Sequence, residues 1–174
     1  MDINKVCVIG AGVMGASIAA HFTNAGCEVL LFDLPTESDD RDMLARQAIN
    51  QLLKAKPAPF SDPRNARLIT PLNTQDNLSL IADCDWIIEA VVERLDVKQG
   101  LYIQIQQHKK PDAIVSSNTS TLPLASLIDG LSDNFCQKFC ITHFFNPPRY
   151  MRLLEIVSGN KTARSTTDTI EKYC

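Results

Sequence analysis

The chain has 174 residues, enough for one domain with a full hydrophobic core, and 45% of them are hydrophobic against 21% charged, an ordinary globular balance. A net charge of −3 gives nucleic acid or an anionic membrane no electrostatic attraction, and no apolar run approaches the roughly 20 residues that cross a bilayer. Met1-Asp2-Ile3-Asn4-Lys5 leads directly into a strand and reads as no signal peptide, so the expected location is the cytoplasm.

Lys5 to Ile9 reads as a first strand, and Gly10-Ala11-Gly12-Val13-Met14-Gly15 follows it as a glycine turn opening a helix from Val13 to Ala25. A second strand runs from Glu28 to Asp33. Each part answers a demand of holding a dinucleotide. Gly10 permits the tight exit from the strand, Gly12 lets the backbone approach a pyrophosphate, and Gly15 lets the helix pack on the sheet. The amides around Val13 and Met14 point at the phosphates, with the helix dipole behind them. Asp33 follows Gly12 at about 20 residues, where a carboxylate accepts from an adenosine ribose. Its charge repels a 2′-phosphate, and Leu34 and Pro35 supply no cation to receive one. NAD is therefore favoured over NADP.

Farther along, Arg41 to Lys54 has a helical period, stopped by Lys56-Pro57-Ala58-Pro59. Arg67 to Thr70 reads as a short strand and Asn77 to Ala82 as a helical turn. Asp85 to Val92 is a buried strand entering a loop, and Asp96 to Lys109 a helix ended by Pro111. Ala113 to Ser116 and Lys138 to Phe144 are further strands. Ser165 to Cys174 looks like a capped helix cut off after two turns, so the chain is expected to be the front portion of something longer. Alternating strands and helices imply a Rossmann-type, doubly wound α/β fold, a mostly parallel sheet with helices on both faces, spanning residues 1–174 as one domain. Cys7 and Cys140 lie in central strands, and the six cysteines show no C-x-x-C spacing. They read as reduced structural thiols, with no metal site.

Ligands bind at strand carboxyl ends in such a sheet, and three polar clusters fall there: Glu89 to Lys98, Ser116 to Thr121 and His143 to Asn146. His143 ends a strand, and Glu155 sits inside the apolar run Leu153 to Val157, where an unpaired carboxylate is costly. A Glu155–His143 pair would raise the imidazole's basicity, as suits a base that takes a hydroxyl proton, although a structural ion pair is the plainer alternative. The Ser116-Ser117-Asn118-Thr119-Ser120-Thr121 loop either caps the next helix or sets a hydroxyl and an amide beside nicotinamide and substrate oxygen. Taken alone, Glu93 and Lys98 read as solvated charges entering a helix.

The glycine turn, Val92-Glu93-Arg94-Leu95-Asp96-Val97-Lys98, Ser117-Asn118-Thr119-Ser120 and His143-Phe144-Phe145-Asn146-Pro147-Pro148 with Glu155 together resemble the NAD-binding domain of the L-3-hydroxyacyl-CoA dehydrogenases of fatty-acid β-oxidation. The likeness runs from about Ile3 to Gly159. Pro148-Arg149-Tyr150 and Lys54 to Pro59 look most like large bacterial members, some of which carry an enoyl-CoA hydratase module. The resemblance implies His143 as catalytic base, Glu155 as its orienting partner, and Ser120 on the substrate 3-oxygen near the nicotinamide. It also implies cofactor contacts from Glu93 and Lys98, an acyl-CoA substrate with its phosphates near Lys54 and Lys56, and a homodimer formed through a helical second domain. That domain, and an asparagine that helps polarise the substrate oxygen, lie beyond this chain. Two rivals remain at this stage: a sensory domain that binds NAD(H) without catalysis, and another β-hydroxy-acid dehydrogenase, which would use a lysine base.

Overall fold

The computed structural model describes residues 2–174. Its elements in chain order are β1 (Lys5–Ile9), α1 (Val13–Asn24), β2 (Glu28–Asp33), α2 (Met43–Leu52), β3 (Ile69–Asn73), β4 (Trp86–Glu89) and α3 (Leu95–His108). Then come β5 (Ile114–Ser117), α4 (Leu124–Leu127), α5 (Asp133–Gln137), β6 (Phe139–Phe144), β7 (Leu154–Val157) and α6 (Arg164–Tyr173). Short 3-10 helices occupy Pro63–Leu68 and Leu78–Asp83. The strands form one seven-stranded sheet in the order β3-β2-β1-β4-β5-β6-β7, parallel except for the final β6–β7 pair.

The alternation of side chains along each strand divides the core into two layers. Val6 and Val8 of β1 join Val29, Leu31, Trp86 and Ile88 under α1, α2 and α6. Cys7 and Ile9 join Leu30, Phe32, Ile87 and Val115 under α3, α4 and α5. Strands covered on both faces are apolar at successive positions, which is why they read as continuous runs. Small residues on α1 (Gly15, Ala16, Ala19, Ala20) are buried and let that helix lie close to the sheet. The order reverses between β1 and β4, and the crevice at that switch is where an open α/β sheet takes its ligand.

The doubly wound architecture matches the sequence reading, with four local differences. The strand expected at Arg67 to Thr70 begins later, because Arg67 and Leu68 complete a 3-10 helix and β3 continues through Pro71 to Asn73. A proline is tolerated there because β3 is an edge strand whose outer side needs no amide. The run holding Glu155 is itself a strand, the antiparallel edge β7. α6 starts at Arg164 behind Ala163, which makes no side-chain cap, so Ser165 lies inside the helix rather than capping it. Finally, α4 follows Pro123 and also has no side-chain cap, so the hydroxyl-rich loop before it does not cap it. All six cysteines are free thiols, five of them buried.

The three glycines of the turn do different work. Gly10 has φ +105, and a Cβ there would stand 2.5 Å from the Ala90 carbonyl oxygen. A Cβ on Gly15 would stand 1.8 Å from the Gly10 carbonyl oxygen. A Cβ on Gly12 meets nothing within 4 Å. Gly10 and Gly15 are therefore required by the protein's own packing, whereas Gly12 borders open space. Gly15→Ala should destabilise the domain by about 3 kcal/mol or prevent folding, while Gly12→Ala should change the unfolding free energy by no more than about 0.5 kcal/mol. Urea denaturation of both variants checks this.

Candidate active site

Gly12 is the N-cap of α1, with no side-chain cap and no acidic residue in the first turn. The amides of Gly12, Val13 and Met14 thus open the helix without a side-chain acceptor, as an anion-binding helix end requires. Beside them, Asp33 at the end of β2 accepts from the Ala11 amide through Oδ2 and from the Leu34 amide through Oδ1, each at 2.7 Å. The carboxylate is thereby locked against the glycine turn. The first basic residue after it in the chain, Arg41, is engaged elsewhere: its guanidinium lies 3.1 Å from Asp76 and 2.7 Å from Gln75. These groups fit a dinucleotide: unclaimed amides, open space at Gly12 and a fixed carboxylate free of cations.

Where the carboxyl end of β6 meets the amino end of β7, the antiparallel register sets His143 directly opposite Glu155. Their Nδ1 and Oε2 atoms stand 2.8 Å apart. A carboxylate can only accept, so this bond assigns the proton to Nδ1 and leaves the Nε2 lone pair unshared. The Phe145 ring, 4.6 Å away centre to centre, borders the imidazole on another side. Side-chain exposure is 25% for His143 and 53% for Glu155. The expectation that burial compels the pair is therefore corrected: Glu155 is half in water, and register rather than desolvation brings it to His143.

The cluster from Ser116 to Thr121 divides. Ser116 is buried, taking the Trp86 Nε1 proton at 2.9 Å and lying 2.7 Å from Thr142 Oγ1. It belongs to the core, not the site. Asn118 accepts the Phe144 amide on Oδ1 at 2.9 Å, which ties this loop to the strand end that carries His143. Ser120 is exposed, and its amide donates to Glu93 Oε1 at 3.2 Å. The same oxygen accepts the Thr119 hydroxyl, and the Thr121 hydroxyl and amide at 3.1 and 3.3 Å. Glu93 is thus the clasp of the Ser120 loop.

Lys98 is 1% exposed, and its ammonium lies 2.6 Å from Glu89 and 3.2 Å from Glu93. Burial rules out the solvated-charge reading for it. Glu89, wholly buried, also accepts the Tyr102 and Ser117 hydroxyls, both at 2.6 Å, and the Val91 amide at 2.8 Å. Burial and the Glu89 charge push the Tyr102 phenol well above its ordinary range, so it remains a neutral donor. Partial burial would raise the Glu93 carboxyl, but the Thr119 hydroxyl and the Lys98 ammonium outweigh it and bring it to about 2. The sequence reading missed Glu89 as the centre of this network. The signal was present: a carboxylate ending the apolar run Trp86-Ile87-Ile88, with a lysine on the following helix.

Comparison with known proteins places this arrangement. The profile described as 3-hydroxyacyl-CoA dehydrogenase, NAD binding domain, matches residues 5–174. The chain belongs to that family. A Deinococcus radiodurans protein named as a 3-hydroxyacyl-CoA dehydrogenase is 47% identical over 163 residues, covering 93% of this chain and 47% of that protein. A Rickettsia felis protein named as a fatty acid oxidation complex trifunctional enzyme is 50% identical over 157 residues, covering 90% of this chain and 22% of that protein. The crystal structure of 3-hydroxybutyryl-CoA dehydrogenase from Escherichia coli superposes with a TM-score of 0.83 at 27% identity, over 99% of this chain and 36% of that one. The chain thus spans between about a fifth and a half of the length of these curated relatives. NAD as the family's cofactor agrees with the sequence reading.

Two measurements test the network. Replacing Lys98 by Met leaves Glu89 buried without its cation, and the unfolding free energy in urea should fall by about 3–5 kcal/mol. Glu93 contributes in a definite direction: its folded pKa is depressed from 4.5 to about 2. Its stabilisation is therefore full above pH 4.5 and is lost as the pH falls toward 2. Between those limits the melting temperature of the wild type should drop more steeply than that of Glu93→Gln.

Proposed function

We propose that this chain is the cofactor domain of an enzyme that oxidises an L-3-hydroxyacyl-CoA to the 3-oxoacyl-CoA in fatty-acid β-oxidation. The observation that carries the reading is the 2.8 Å contact between His143 Nδ1 and Glu155. It stands at the sheet edge where ligands bind in such folds, in a chain of the 3-hydroxyacyl-CoA dehydrogenase family. Bound NAD supplies the hydride acceptor. The Gly12, Val13 and Met14 amides hold its pyrophosphate and Asp33 its adenosine ribose, with Glu93, Lys98 and Asn118 shaping the nicotinamide end.

His143 Nε2 takes the proton of the substrate hydroxyl as the carbonyl forms. Glu155 holds the imidazole in the required tautomer and stabilises the imidazolium. The Ser120 hydroxyl, which makes no hydrogen bond within the described residues, donates to the same oxygen and steadies the charge that develops on it. The acyl-CoA substrate, a homodimer and a helical second domain belong to the whole protein in this reading. Lys54 and Lys56, both exposed, are available to CoA phosphates. A cytoplasmic location suits the six free thiols.

NADH formation from 3-hydroxybutyryl-CoA by the full-length protein tests this. His143→Ala should lower kcat by about a hundredfold to ten-thousandfold and Glu155→Gln by about tenfold or more, with NADH affinity changed by less than about threefold. Gly12→Ala should instead weaken NADH binding about tenfold or more. Unchanged turnover in His143→Ala would show that another group is the base, and no NADH formation by the wild type would show a domain that binds the cofactor without this chemistry.

A further inference from the structure

Glu89 ends β4 with no surface exposed to water. Its side chain faces α3 through Lys98 and Tyr102, its own loop through the Val91 amide, and β5 through the Ser117 hydroxyl. Its backbone continues the tie, since the Glu89 carbonyl accepts the Asn118 amide at 2.8 Å. Asn118 in turn accepts the Phe144 amide, one residue beyond His143. A hydrogen-bonded string therefore runs along the carboxyl edge of the sheet from α3, through β4 and β5, to the strand that carries the imidazole. A branch leaves it at Lys98, through Glu93, to the Ser120 and Thr121 amides.

Stability alone does not account for this carboxylate. A buried ion pair is often matched or bettered by apolar side chains of the same volume. What Glu89 provides and an apolar residue cannot is a set of directional bonds to two ligand loops at once. We propose that Glu89 is a positioning residue. Acting through Ser117 and Asn118, it sets the Ser120 hydroxyl and the His143 imidazole at a fixed separation, so that both reach one substrate oxygen. This rests on the dehydrogenase reading above.

Ser117→Ala provides the sharpest test, because it removes the hydroxyl that joins the Glu89 carboxylate to the Thr119 amide of the Ser120 loop and leaves the Lys98 pair intact. In the full-length enzyme its kcat should fall about tenfold or more, while the NADH dissociation constant moves less than about threefold. Ser117→Thr, which keeps the hydroxyl, should return kcat to within about twofold of wild type. Glu89→Gln should show a similar loss, and the Glu89→Gln/Ser117→Ala double variant should fall no further than the worse single variant, because both cut one path. Wild-type kcat in Ser117→Ala, or losses that multiply in the double variant, would overturn the proposal. Should Glu89→Gln fail to fold, the Ser117→Ala and Ser117→Thr pair decides alone. His143→Ala run alongside separates the two readings. No NADH formation by the wild type defeats the dehydrogenase reading and normal turnover in His143→Ala defeats the imidazole as base, whereas a dead His143→Ala with an unaffected Ser117→Ala defeats the positioning role only.

Discussion

A carboxylate buried at the end of a central strand is the constraint on which this domain's site is organised. β4 lies between β1 and β5 with helices over both faces, so water has no route to Glu89. Every acceptor position it presents must be met by protein donors. Lys98 and Tyr102 meet it from α3, Ser117 from β5, and Val91 from its own loop. Satisfying that one group fixes the helix against the sheet and draws two loops together at the carboxyl edge. Glu93 extends the same charge pattern outward, sharing Lys98 and gathering the amides and hydroxyls of the Ser120 loop.

The other half of the site has a steric origin. Gly10 and Gly15 are glycines because the protein's own backbone crowds them; Gly12 is crowded by nothing among the described residues. Two of the three fold the turn, and the third leaves the approach to the α1 amides open. Asp33 then closes the turn by accepting the Ala11 amide, so the strand that presents the acid also braces the loop beside it. This arrangement makes the carboxylate part of the scaffold.

The His143–Glu155 pair depends on a third kind of cause. An antiparallel neighbour places residues directly opposite one another, and β7 is the one antiparallel strand of the sheet. With Glu155 half exposed, neither partner is forced on the other by desolvation. The ladder holds them in register, and a one-residue slip would turn Glu155 to the other face.

The sequence carried the alternation of strands and helices, the glycine turn, Asp33 at the end of the second strand and the pairing of His143 with Glu155, because these follow from local periodicity, backbone sterics and chemistry within short windows. It did not separate Ser116 from Ser117, which point to opposite faces of one strand, nor carry β3 past Pro71, whose tolerance depends on lying at an edge. Nor did it reveal that β7 pairs antiparallel with β6, or that Lys98 and Glu89 meet in the interior. Those outcomes belong to the tertiary structure, for one physical reason: burial, register and edge position are properties of which strands become neighbours. That choice is made across long stretches of chain, as in the sheet that brings Val6 beside Trp86.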